Sequence, residues 1–227
     1  MVFLATATAV LIATATAAPL PPCFLSMGDW GYTDPHVVSM STLMQKAINE
    51  PETYGCSNVS LTLALGDNFY DRGVGSVDDP LWESIFVNQF RKFPAFQKQP
   101  ILATMGDHDY AAVNPSEQPN HTRAQAQIDY HYQKDPLWVM PDANYTYTET
   151  FNNGMKIKFI MANTEALYSC IHLRPEWCFQ PDHDKWIEAE LEKSDNDTSI
   201  DAVIIGGHHA VVCPLGGHYD PKLDAVL

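Results

Sequence analysis

Three times along the chain a short apolar run closes on Gly-Asp, and a fourth closes on Gly-His. Cys23 to Met27 leads into Gly28-Asp29, Val59 to Leu65 into Gly66-Asp67, Ile101 to Met105 into Gly106-Asp107, and Ile200 to Ile205 into Gly206-Gly207-His208-His209. The first three exits are about 38–40 residues apart, the length of a strand, helix, strand unit with parallel strands. Val59, Leu61, Leu63 and Leu65 alternate as a strand does, whereas Met40, Leu43, Met44, Ala47 and Ile48 fall on one helix face, and Trp82, Ile85, Phe86 and Phe90 mark another. Farther on, Asn144 to Phe151 and Met155 to Ala162 read as a hairpin closed by Asn152-Asn153-Gly154, and Trp186 to Leu191 as a helix. Segments 71–80 and 111–122 read as loops, and no repeat or linker divides the chain after residue 18.

An open α/β sheet gathers whatever follows its strands at one carboxyl edge, where ligands bind. Gly-Asp after a strand is ordinary turn chemistry taken singly. Its repetition with Gly-His brings Asp29, Asp67, Asp107 and His208 together, and a multivalent cation stabilises such a set as anions and neutral imidazole. The charge balance of 13 Lys and Arg against 28 Asp and Glu argues against a nucleic-acid partner.

Residues 1–18 carry no charge and end in Ala15-Thr16-Ala17-Ala18 before Pro19, as a secretory signal peptide does. Asn58, Asn120, Asn144 and Asn196 each head an N-x-S/T sequon, and no apolar stretch long enough for a membrane anchor follows the signal. Of the five cysteines, Cys170 and Cys178 can close a short disulfide loop, and the odd count leaves one thiol over, with Cys23 and Cys213 the candidates.

The blocks Gly28-Asp29-Trp30-Gly31, Gly66-Asp67-Asn68-Phe69-Tyr70, Gly106-Asp107-His108-Asp109 and Gly207-His208-His209 resemble, in order and spacing, the signatures of calcineurin-like metallophosphoesterases. Tyr70 narrows the resemblance to the purple acid phosphatases of the small, tartrate-resistant kind. It implies an α/β fold of two packed mixed sheets flanked by helices, and a dinuclear centre of Fe(III) with Fe(II), Zn or Mn. By the same resemblance Asp29, Asp67 and Tyr70 hold the iron(III), Asp67 bridges, Asp107 and His208 hold the second ion, and His108 faces the substrate. His209 is a further candidate for the substrate pocket. Phenolate with carboxylates is a hard ligand set suited to iron(III). Two ions about 3.5–4 Å apart activate a shared water for in-line attack at phosphorus, and His108 protonates the leaving alkoxide.

The implied function is acid hydrolysis of small phosphate monoesters, phosphoproteins or nucleotides by a metal-bound hydroxide, in a secreted or lysosomal/vacuolar setting. A metallophosphodiesterase of the same superfamily and a non-catalytic secreted binding protein or fragment are the alternatives. Two features depart from the family pattern. Asp107 stands where members usually carry Asn, adding a negative charge. A Gly-His-x-His block expected some tens of residues after His208 is absent before Leu227, and Gly217-His218-Tyr219-Asp220 lies too close to replace it. The expectation is therefore a signal peptide at 1–18 and one metallophosphoesterase domain at 19–227, incomplete at its C-terminus and lacking its last strands. The remaining lone histidines, His36, His121, His131, His172 and His183, read as solvated or hydrogen-bonded, without a role.

Overall fold

The computed structural model describes residues 19–112, 114, 117–172, 178 and 180–209. The expected signal peptide, Cys213 and the Gly217–Asp220 block lie outside them. Four parallel strands, β1 (Cys23–Met27), β2 (Val59–Leu65), β3 (Ile101–Thr104) and β4 (Trp138–Val139), form one sheet in sequence order. A second, mixed sheet pairs β5 (Tyr145–Thr150) antiparallel to β6 (Lys156–Met161), which pairs parallel to β7 (Ala202–Gly206). The two-sheet layout with helices follows the expectation, with the mixed character confined to the second sheet.

The alternation in β2 does not mark one wet face. Leu61, Thr62, Leu63 and Ala64 are all buried, because a strand inside a parallel sheet is covered on both sides. The hairpin turns at Gly154, whose φ of 86° is open to glycine at little cost. Phe24 of β1 meets Phe159 of β6 edge to face at 5.4 Å. The Tyr145 hydroxyl crosses between the sheets to the carbonyl oxygens of Ala103 at 3.0 Å and Val139 at 2.5 Å. Beneath the first sheet, Trp30, Phe69, Trp82, Phe86 and Trp138 form an aromatic core.

Helix α1 (Pro35–Asn49) starts where Asp34 accepts from the N–H groups of His36 and Val37, with Pro35 in the first turn. Its buried face is Val37, Ser41, Met44 and Ala47, and Leu43 is 63% exposed, so the expected stripe is rotated. Segment Trp82–Arg91 is a π-helix whose widened turn still buries Trp82, Ile85, Phe86 and Phe90. Helix α2 (His121–Gln133) occupies a stretch too polar to show an apolar face in sequence. It is capped by Asn120 and held by Tyr130 stacked on Trp82 at 3.5 Å. Helices α3 (Thr164–His172) and α4 (His183–Asp195) connect β6 to β7. Cys23 is bonded to Cys56, correcting its reading as a spare thiol, and Cys170 to Cys178.

His183 also departs from expectation. It is 2% exposed, and neither ring nitrogen has a hydrogen-bond partner among the described residues. Burial pushes its pKa down to about 4, against the pull of the Asp184 charge. The unfolded chain, with His near 6.5, therefore binds the proton that the folded chain refuses, and stability falls as pH drops from about 6.5 towards 4. Between pH 7 and pH 5 the loss attributable to His183 is expected to be about 2 kcal/mol. Urea unfolding of the wild type and of His183→Leu at both values checks this; equal pH dependence in the two would refute it.

Candidate metal centre

Strands β1, β2, β3 and β7 end on the same side, and the residues just beyond them converge. Ligand atoms of Asp29, Asp67 and His208 lie within 4.8 Å of one another, and so do those of Asp67, Asp107 and His108. Asp67 belongs to both groups. The Tyr70 hydroxyl donates to Asp67 through a very short bond and reaches Asp29 Oδ1 at 3.2 Å. Asp29 and Asp67 occupy left-handed backbone conformations, with φ of 54° and 53°. For non-glycine residues this costs on the order of 1–3 kcal/mol, and such strain collects at functional sites.

The intervening glycines make the convergence possible. A Cβ on Gly106 would sit 2.3 Å from Asp67 Oδ1, and one on Gly66 2.7 Å from the His208 ring. No side chain fits there without displacing a candidate ligand.

The electrostatics indicate a shortage of positive charge. Burial pushes the Asp67 carboxyl up, opposed by His208, with Asp107 adding to the rise. Burial likewise drives the Tyr70 phenol above its ordinary value, reinforced by the bond to Asp67. Burial alone would lower His208, but the hydrogen bond to Asp107 and the charge of Asp67 prevail and bring it to about 9. The His208 proton thus balances carboxylates that a metal cation would otherwise neutralise. His208 Nδ1 meets the Leu65 carbonyl at 3.0 Å, so Nδ1 carries the hydrogen. Nε2 is left facing Asp67 at 3.6 Å and Asp107 at 3.5 Å. An Nδ1–H held by a backbone carbonyl behind an inward Nε2 is the arrangement that orients metal-ligating histidines. With carboxylates, a phenol and this imidazole, the donor set fits two cations sharing Asp67.

A buried polar scaffold holds these loops in register. Asp109 is fully buried and accepts from Gly106 N–H at 2.9 Å, Gln127 Nε2 at 2.8 Å and Asn68 N–H at 3.1 Å. Asn68 in turn donates to the Thr104 carbonyl at 2.7 Å and accepts from the Trp30 indole at 3.0 Å. Burial pushes Asp109 up to about 6, while the Gly106, Gln127 and Asn68 bonds pull it down. Loops after β1, β2 and β3 are thereby tied to one another and to α2. Asn68 and Asp109 stand within the motif blocks without a task that the sequence assigns, and Gln127 carries no sequence signal at all.

The structure brings Asp29, Asp67, Tyr70, Asp107, His108 and His208 together. His108 lies among the potential ligands rather than apart from them; its Nδ1 donates to the Asp71 carbonyl at 2.6 Å, and its ring packs 4.1 Å from that of Tyr70. His209 is beside His208, their ring centroids 5.2 Å apart.

Comparison with known proteins accords with this geometry. A family model described as calcineurin-like phosphoesterase matches residues 24–226. Purple acid phosphatase 4 of Arabidopsis thaliana is 26% identical over 212 residues, covering 88% of this chain and 56% of that protein. Tartrate-resistant acid phosphatase type 5 of Oryctolagus cuniculus is 25% identical over 211 residues, covering 90% of this chain and 61% of that protein. The chain therefore spans little more than half the length of these curated relatives. Among solved structures, GAP50, the anchor in the inner membrane complex of Plasmodium, matches with a TM-score of 0.68 at 19% identity. That match covers 89% of this chain and 59% of GAP50, and it is a likeness of fold alone.

Proposed function

Because the chain belongs to the calcineurin-like phosphoesterase family, we propose that it is a metal-dependent acid phosphatase of the purple, tartrate-resistant type acting on small phosphate monoesters. The observation that carries the narrower reading is the Tyr70 hydroxyl converging on Asp67 and Asp29. Asp29, Asp67 and Tyr70 would hold iron(III), and Asp67, Asp107 and His208 a divalent iron, zinc or manganese. When bound, the two cations supply Lewis acidity at phosphorus and a nucleophile drawn from water.

The chain's own groups do the rest. Asp67 ties the two halves of the site together, and its backbone partner, the His108 N–H at 3.2 Å, fixes its Oδ1. The Leu65 carbonyl keeps His208 Nε2 turned inward. With Nδ1 donated to the Asp71 carbonyl, His108 keeps Nε2 as the atom from which a proton would pass to the leaving alkoxide oxygen.

Loaded with iron, the full chain is expected to bind two ions, absorb visible light through a tyrosinate-to-iron transition, and cleave p-nitrophenyl phosphate faster than its bis-ester. Tyr70→Phe should abolish the visible band. A band that survives in this variant refutes the tyrosine assignment, and preference for the diester refutes the monoesterase reading.

A secreted or vacuolar setting is part of the proposal, and two disulfides among the described residues suit an oxidising compartment. No described helix is long and apolar enough to cross a membrane. The four sequons differ in what a glycan would disrupt. Asn120 and Asn196 are exposed, whereas half-buried Asn144 donates to Gln180 at 2.8 Å and accepts from the Asn163 N–H at 2.8 Å. Asn58 is half-buried and donates to Ser60. Glycopeptide mass spectrometry of secreted material is expected to find Asn120 and Asn196 occupied and Asn144 bare; a glycan on Asn144 would contradict this ranking.

A further inference from the structure

Beside the carboxylate cluster stands a second group of side chains that the proposed hydrolysis leaves without a task. Helix α3 opens at Thr164, shortly after β6 ends, and its first turn grips the segment that follows β7. The Thr164 hydroxyl accepts the backbone N–H of both His208 and His209, each at 2.9 Å. Glu165 meets His209 Nε2 at 2.7 Å, and Tyr168, one turn along the helix, stacks on the imidazole at 4.5 Å with an interplanar angle of 17°.

A carboxylate this deeply buried is tolerated when it is paired and hydrogen-bonded. Glu165 is 1% exposed, while the His209 side chain in front of it retains 21% exposure. The carboxylate therefore stands behind the ring, and the ring faces outward. With Nε2 engaged by Glu165, the Nδ1 edge is presented away from it, and no described residue takes it up. The ring stands beside the metal candidates, its centroid 5.2 Å from that of His208. A backbone clamp, a carboxylate and a stacked phenol together fix one ring orientation, as a preorganised binding group requires.

We propose that Glu165 is a positioning residue that holds His209 so that its imidazole contacts an oxygen of the substrate's phosphoryl group. The inference rests on the phosphatase reading above and adds to it a phosphate-contacting side chain together with its support.

The test compares Glu165→Ala, Glu165→Gln, His209→Ala and the Glu165→Ala/His209→Ala double variant in the metal-loaded full chain. Inorganic phosphate binding is measured by calorimetry, and kcat and KM with p-nitrophenyl phosphate. Either alanine variant should weaken phosphate binding about tenfold and raise KM in parallel, with kcat less affected. The double variant should be no worse than either single one. Glu165→Gln, whose amide oxygen still accepts from Nε2, should recover most of the affinity. Bound metal and the visible band should not change in any of them.

Unchanged phosphate affinity in His209→Ala overturns the proposal, as do losses that simply add in the double variant. Should Glu165→Ala fail to fold, His209→Ala and Glu165→Gln decide: a loss in the first that Glu165→Gln escapes supports it, and equal losses in both overturn it. A wild type that hydrolyses no ester, yet binds phosphate with this mutational pattern, refutes the phosphatase reading and leaves the Glu165–His209 pair standing.

Discussion

Asp67→Asn is expected to reduce kcat/KM for a phosphate monoester about a thousandfold while leaving the metal-free protein at least as stable as the wild type. Asp67 is common to both groups of candidate ligands, so losing its charge weakens both cation sites at once. A loss of about 4 kcal/mol in transition-state stabilisation corresponds to that factor. The stability prediction has the opposite sign for a physical reason. Asp67 is 2% exposed, and burial together with Asp107 raises its pKa, so its ionised form is strained in the folded chain without a cation. The isosteric amide removes that charge and keeps the shape. Metal analysis, steady-state kinetics and thermal melting of the metal-free protein check the three parts. Activity within tenfold of the wild type, or a markedly less stable metal-free variant, would contradict the role given to Asp67.

Asp109→Ala is expected to cost about 4 kcal/mol of folding stability and to release bound metal, although Asp109 is not itself a proposed ligand. Its carboxylate accepts from Gly106, Asn68 and Gln127 in a fully buried position, and alanine would leave those donors unpaired. The loops carrying Asp67 and Asp107 would then lose their common tie. Asp109→Asn should cost less than alanine but more than a neutral exchange, since its amide group must face at least one N–H donor. Urea unfolding gives the energies, and metal titration reads the site. Full metal affinity in Asp109→Ala would mean that the loops hold their register without this scaffold.

Much of the site was legible because its signals are local. An apolar run followed by Gly-Asp marks a strand and its exit within a few residues, and parallel order then places Asp29, Asp67 and Asp107 at one edge. The hairpin at Gly154 was legible for the same reason, since its turn residues and alternating flanks are contiguous. Helix α2 was not, because its buried face is Ala124, Ala126, Gln127 and Tyr130, a set without an apolar period. His183 was misread because a single histidine says nothing of its burial.

What the sequence determined by itself was that Asp29, Asp67, Asp107 and His208 are delivered to one edge, and in which order, since both follow from short-range patterns of polarity and turn chemistry; Tyr70 and His108 entered only through the resemblance of their motif blocks to a known family. Only the tertiary structure decided which groups stand behind them. Asp109 meets Asn68 from 41 residues away, Gln127 meets Asn68 from 59, and Glu165 meets His209 from 44. Buried polar groups must find partners wherever the folded chain provides them. Such pairings depend on how separate elements pack, and adjacent residues carry no trace of them.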